Sequence, residues 1–176
     1  MISLHRLRYG ADDRMKETKR IKDFLAQRRF AKSATKGDSN EPIAVFSLRE
    51  KDLDAYETEM YFVNESSEVL KLVTSEPAGM ITCDKHVVAL GGEGRTYEDV
   101  QPGEGVLVDI FHRVYDSDSI VVTSVVVLSE KYGLLDFETH PFKKSVPEMV
   151  LLWSNGEKGK EVKLRIDKPA TVVNSI

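Results

Sequence analysis

From Ile43 onward, apolar and polar residues alternate with a period of two, in short runs broken by turn-forming residues at roughly 8–12-residue spacing. The runs predict strands at Ile43–Leu48, Tyr56–Phe62, Val69–Thr74, His86–Leu90, Val106–Tyr115, Ile120–Leu128, Gly133–Phe137, Met149–Trp153 and Val162–Ile166. In the second run Tyr56, Thr58, Met60 and Phe62 alternate with Glu57, Glu59 and Tyr61, which predicts one buried face and one wet face. Asp116-Ser117-Asp118-Ser119 predicts a hairpin of Val106–Tyr115 with Ile120–Leu128, and the polar stretch 154–160 predicts another of Met149–Trp153 with Val162–Ile166. Two strands are apolar on both sides. Ile120, Val122, Val126 and Leu128 oppose Val121, Val125 and Val127, while Met149, Leu151 and Trp153 oppose Val150 and Leu152. Sheets packed face to face need one apolar face each, so the second faces call for a cover.

Ahead of these runs the period changes. Met15, Thr18, Ile21, Phe24 and Leu25 recur at spacings of three and four. Asp12 and Asp13 suit the positive end of a helix dipole, and Arg28, Arg29 and Lys32 suit the negative end. A helix is therefore predicted over residues 12–32, its narrow apolar stripe fitted to lie on a surface. That stripe is one candidate cover for the two-faced strands; a second subunit is the other. The polar run Ser33–Pro42 has no periodicity and reads as a linker. The organisation expected is a basic helical segment at 1–36, a linker at 37–42 and a β-domain at 43–176.

Charge sharpens this division. The net charge of −4 conceals eleven basic and four acidic residues within 1–36, giving +7, and fourteen basic and twenty-five acidic residues in the rest, giving −11. The basic segment thus invites an electrostatic role, either against an external partner or against the acidic body of the same chain. At 176 residues the chain suffices for one domain with its own core. A single cysteine, Cys83, allows no intramolecular disulfide. No apolar run nears the roughly 18 residues of a membrane-spanning helix, and the first residues lack the apolar core of a secretory signal. A cytoplasmic protein without a transmembrane segment is expected.

Tyr61-Phe62-Val63-Asn64-Glu65-Ser66-Ser67 opening a turn, and Val100-Gln101-Pro102-Gly103-Glu104 before a long strand, resemble the strand succession and corners of immunoglobulin-like and fibronectin-like domains. The resemblance covers roughly residues 43–130 and lacks the paired cysteines of antibody domains. It implies a mainly β fold, an immunoglobulin-like or fibronectin-like antiparallel β-sandwich, here with an N-terminal amphipathic basic helix. It implies no particular function.

Candidate chemistry is sparse. Cys83-Asp84-Lys85-His86 has a spacing a metal could use, but a closed site needs about four ligands, and the others would have to be His112, His140 or a carboxylate from far along the chain. Without further ligands the segment reads as a turn before a strand. His112 shares its predicted strand face with Val106, Val108, Ile110 and Val114, the setting of a structural histidine. Asp116 and Asp118 lack the glycine and distal glutamate of a calcium loop and read as turn formers. Gly91-Gly92-Glu93-Gly94 matches no phosphate-binding pattern and reads as a flexible loop. Arg14, Lys19, Arg20, Lys22, Arg28 and Arg29 form the basic face through which a partner would bind. The expectation is a non-enzymatic binding or assembly module without a cofactor, joined to a protein partner or to itself. The alternative is a nucleic-acid-associated protein using residues 1–36 as an electrostatic arm. A weaker one is a metal-dependent enzyme around Cys83, His86 and His112.

Overall fold

A computed structural model of the chain describes residues 19–27, 42–83, 86–92 and 94–168, and strands carry most of them. In chain order they are β1 (Arg20–Ile21), α1 (Phe24–Gln27), β2 (Ala44–Asp52), β3 (Glu57–Asn64), β4 (Leu70–Cys83), β5 (His86–Gly91), β6 (Arg95–Val100), β7 (Gly105–His112), β8 (Ile120–Ser129), β9 (Gly133–Thr139), β10 (Phe142–Lys143), β11 (Met149–Trp153) and β12 (Val162–Lys168). The protein is mainly β, with two antiparallel sheets. Sheet A has the order β1-β7-β3-β2-β11. Sheet B has the order β12-β9-β8-β4, with β5 and β6 in succession along the outer edge of β4 and β10 continuing β9 along β8. The chain forms hairpins at β2–β3, β4–β5 and β8–β9, and changes sheet after β3, β6, β7, β10 and β11.

Apolar side chains from the facing sides of both sheets make one core. Phe46 and Phe62 from sheet A meet Phe137 and Val125 from sheet B, and Tyr132 closes over Phe46 edge-on at 5.8 Å. Polar links also cross the layer. The Tyr97 hydroxyl of β6 donates to the Leu107 carbonyl at 2.7 Å, and the Ser75 hydroxyl donates to the Val108 carbonyl at 3.3 Å. The Val108 carbonyl is free for this because β7 bulges there: Asp109 faces Met60 but Leu107 faces Tyr61, leaving Val108 as the extra residue. The bulge also reverses which side of β7 points inward. Val106, Val108 and Phe111 join the inter-sheet core, whereas Leu107 and Ile110 pack outside, so the single face expected for Val106, Val108, Ile110 and His112 does not exist.

Both predicted hairpins are overturned by the sheet assignment. β7 lies in sheet A and β8 in sheet B, so Asp116–Ser119 turns the chain between layers. Likewise β11 pairs with β2 and β12 with β9. Within the glycine run at 91–94, Gly91 ends β5 and Gly92 is tied to β4, while Glu93 lies outside the described residues. Ala78 pairs with Gly91 and Ser75 with Arg95, so the run joins two strands that follow the same edge of β4. Pro77 sits opposite it, its carbonyl accepting from the Gly92 N–H at 3.0 Å. A strand residue's N–H and C=O point the same way, so the donor proline lacks falls at the gap between β5 and β6 rather than within a regular ladder.

The expected helix over 12–32 is also corrected where it can be seen. Arg20–Ile21 is extended against β7, Asp23 takes a positive φ of 53°, and only Phe24–Gln27 makes a helical turn. Residues 12–18 and 28–32 lie outside the described residues. The segment's described part, residues 19–27, docks on β3 and β7 rather than on β8 or β11. On β8, Val126 and Leu128 are half-buried by lateral neighbours, Leu128 lying between Leu72 and Leu134 in register. On β11, register shifts on either side of Leu152 break the alternation, and Leu151 and Leu152 both enter the core.

Candidate functional site

The outer face of sheet A is where the N-terminal segment docks. Tyr61 and Val63 of β3 and Leu107 of β7 form an apolar floor, completed by Ile110 and by Ile21 from above. Phe24 fills the socket, 3% exposed and with its ring centroid 5.2 Å from that of Tyr61. Gly105 makes room for it, since a Cβ there would stand 2.6 Å from the Phe24 ring. The segment is tied to the edge of β7 by its backbone. Arg20 pairs with Val106 and Ile21 with Gly105; the Leu107 N–H donates to the Lys19 carbonyl at 3.1 Å and the Phe24 N–H to the Gly103 carbonyl at 2.9 Å. This cover buries both faces of β3, which corrects the wet face expected for Glu57, Glu59 and Tyr61: Glu59 and Tyr61 are fully buried.

Two buried carboxylates flank the socket, and each is answered by a base of the segment. Glu59 accepts from the Lys19 ammonium and, through Oε2, from the Tyr61 hydroxyl at 2.7 Å. Glu104, held by the Gln101 N–H at 2.8 Å, pairs with Arg20 at 3.5 Å. The Arg20 guanidinium also donates to the Glu98 carbonyl at 2.6 Å and lies over the Tyr97 ring. Of the six bases expected to face a partner, Lys19 and Arg20 are thus engaged with the chain's own acidic body. Lys22 is exposed beside them, and Arg14, Arg28 and Arg29 lie outside the described residues.

Burial, reinforced by the hydrogen bond to Glu59, holds the Tyr61 phenol well above its ordinary value of 10.0, and burial likewise raises Tyr97. A phenol with a raised folded-state pKa favours folding below the unfolded value and loses that contribution as pH climbs past it. Stability is therefore expected to fall above about pH 10, and less steeply in Tyr61→Phe, read as melting temperature against pH. Identical alkaline slopes would show that Tyr61 ionises freely in the folded protein.

A second surface lies at the end of sheet A where the β2–β3 turn meets the segment after β7. Asp54 builds the turn, its Oδ1 accepting from the N–H groups of Tyr56 at 2.6 Å and Glu57 at 2.9 Å. These same bonds hold its carboxyl below the usual range. Asp116 builds the other segment, accepting the His112 N–H at 2.8 Å through Oδ2. The two are joined by the Arg113 N–H donating to the Tyr56 carbonyl at 2.7 Å and by an Arg113–Asp52 ion pair. His112 sits at the centre. Its ring stacks on Tyr56 at 6.3 Å, meets Tyr115 at 4.3 Å, and accepts the Tyr115 N–H at Nδ1. Tyr56 and Tyr115 beside it are exposed, as are Leu53 and Val114 in the same two segments. Periodicity had placed Tyr56 on a buried face; exposure here follows from its position in the turn.

The residues suggested for a metal are not brought together as a described group. Cys83 and His86 are register partners at the tip of the β4–β5 hairpin, their side chains outside the described set, and His112 lies at the end of sheet A. Among the described residues no group of three or more histidine, cysteine, aspartate or glutamate side chains is placed to hold a metal ion. No described helix is long and apolar enough to cross a membrane. No protein-family model matches the chain, and no curated protein or solved structure matches it.

Proposed function

We propose that this protein is a non-enzymatic binding or assembly module, an immunoglobulin-like or fibronectin-like sandwich that associates with a second copy through the aromatic end of sheet A. The observation that carries this is the cluster of Tyr56, His112 and Tyr115, on two segments that also expose Leu53 and Val114. Leu53, Tyr56, Val114 and Tyr115 are each 46–59% exposed. Single exposed apolar residues are ordinary on any protein, but a contiguous aromatic patch marks a contact surface. Both segments that carry it are fixed by Asp54 and Asp116, so little ordering remains to be done on binding. Aromatic rings pair well with rings, so the same patch on a second copy is a matching partner. The nucleic-acid reading has less support, because Lys19 and Arg20 already answer Glu59 and Glu104.

Light scattering over a concentration series tests this. The mass of the wild-type chain is expected to rise above 19.8 kDa with concentration, while Tyr56→Ser/Tyr115→Ser stays at that value. Replacing exposed residues costs within about 0.5 kcal/mol, so the variant keeps its fold. Wild-type protein that remains at the monomer mass throughout overturns the proposal.

A further inference from the structure

We propose that the socket on the outer face of sheet A is a peptide-recognition site for segments of the pattern base-base-aliphatic-x-x-Phe, and that residues 19–27 are its resident ligand, held in cis. This surface is separate from the aromatic end of the sheet, and the proposal stands or falls independently of self-association.

Three features of the body define what the socket accepts. The edge of β7 offers backbone groups from Gly103 to Leu107, which take an extended segment as an added strand. The floor of Tyr61, Val63 and Leu107, with no side chain at Gly105, takes one aromatic ring. Glu59 and Glu104, buried on either side of that edge, demand two positive charges at adjacent positions. Lys19-Arg20-Ile21-Lys22-Asp23-Phe24 supplies all of these in order. A body that fixes two carboxylates, a strand edge and an aromatic hole in one row is specific for that chemistry whichever chain provides it.

The resident segment is built to exchange. Phe24 is its one fully buried side chain, and Lys19 and Arg20 reach their partners from half-exposed positions. A two-residue strand and a single helical turn have no stability of their own, so they stay ordered only while docked. Such segments open at far lower cost than a core strand. A competing peptide therefore needs only to match the same row of contacts.

The test uses the full-length chain and a fluorescein-labelled peptide of residues 18–27, followed by anisotropy. The Phe24→Ala chain, whose socket is vacated, is expected to bind the peptide saturably. Wild type binds it about tenfold more weakly or worse, because its competent fraction is reduced by the resident segment. A peptide carrying Phe24→Ala should not bind, and adding Gly105→Ala to the Phe24→Ala chain should abolish binding by filling the hole. A folded Phe24→Ala chain that takes up no peptide, or that takes the Phe24→Ala peptide equally well, overturns the proposal. If that chain does not fold, Lys19→Ala/Arg20→Ala decides: it keeps Phe24 but loosens the segment, and a folded form with no gain over wild type also overturns it.

Discussion

Gly159→Ala is expected to abolish folding, or to cost about 4 kcal/mol or more, well beyond the ordinary range for a single methyl group. After β11 the chain folds back on itself. Trp153 N–H donates to the Glu157 carbonyl at 2.8 Å, Gly159 N–H donates to the Leu151 carbonyl at 3.0 Å, and the Lys158 ammonium reaches the Val162 carbonyl at 2.8 Å. This presses Gly159 against β11, where an added Cβ would stand 1.8 Å from the Val150 carbonyl oxygen and 2.9 Å from its carbon. Both atoms are backbone, so no rotamer change relieves the overlap. Either β11 leaves β2 or the crossover to β12 is rebuilt, and each disturbs the edge of a sheet. Soluble yield and the urea midpoint measure this. A wild-type midpoint in Gly159→Ala would show that the crossover does not press on β11.

Phe46→Ala should cost about 3–5 kcal/mol, the range for emptying a fully enclosed aromatic site. Phe46 has no exposed surface and touches Phe62 within its own sheet, Phe137 across the layer and Tyr132 in the β8–β9 turn. None of these can follow the vanished ring without leaving another gap, because each is fixed by a paired strand or a hydrogen-bonded turn. Phe24→Ala, the same truncation, should cost less. Its segment can lift away, so the loss cannot exceed the free energy with which it docks. Denaturant midpoints of the two variants compare them directly, and equal losses would contradict the peripheral placement of Phe24.

Period-two patterning located β8 and β12, because alternation survives wherever one sheet face is buried: Ile120–Leu128 falls within β8 and Val162–Ile166 within β12, whereas the expected Val69–Thr74 covers only the first part of β4, which runs on to Cys83. It missed β6, where Arg95-Thr96-Tyr97-Glu98-Asp99-Val100 shows only two apolar residues and Asp99 takes a positive φ of 51°. Turn chemistry in Asp116–Ser119 marked a turn but not the hairpin expected of it. It carried no information on which sheet the chain would enter next, and that is why both hairpins were misassigned. Spacings of three and four in Met15 to Leu25 suggested a long helix, yet Ile21 and Phe24 obey them equally well as a strand residue and a helical-turn residue over one socket. Contacts with β7 outweighed a weak local preference. The charge asymmetry was plain in the sequence; that Lys19 and Arg20 would meet Glu59 and Glu104 depended on the topology. Nothing local marks Tyr56 and Tyr115 as neighbours, because β2–β3 and β7 come together only through sheet A.

Because Phe24 docks against Gly105 and Leu107, its landing place is made roughly eighty residues later during synthesis. At translation speeds of about 5–20 residues per second, the segment waits on the order of ten seconds with its aromatic anchor in water. It is made well before the strand edge on which it docks. During that interval a chaperone or a neighbouring nascent chain meets a short basic stretch with a bare phenylalanine before the body that will hold it exists.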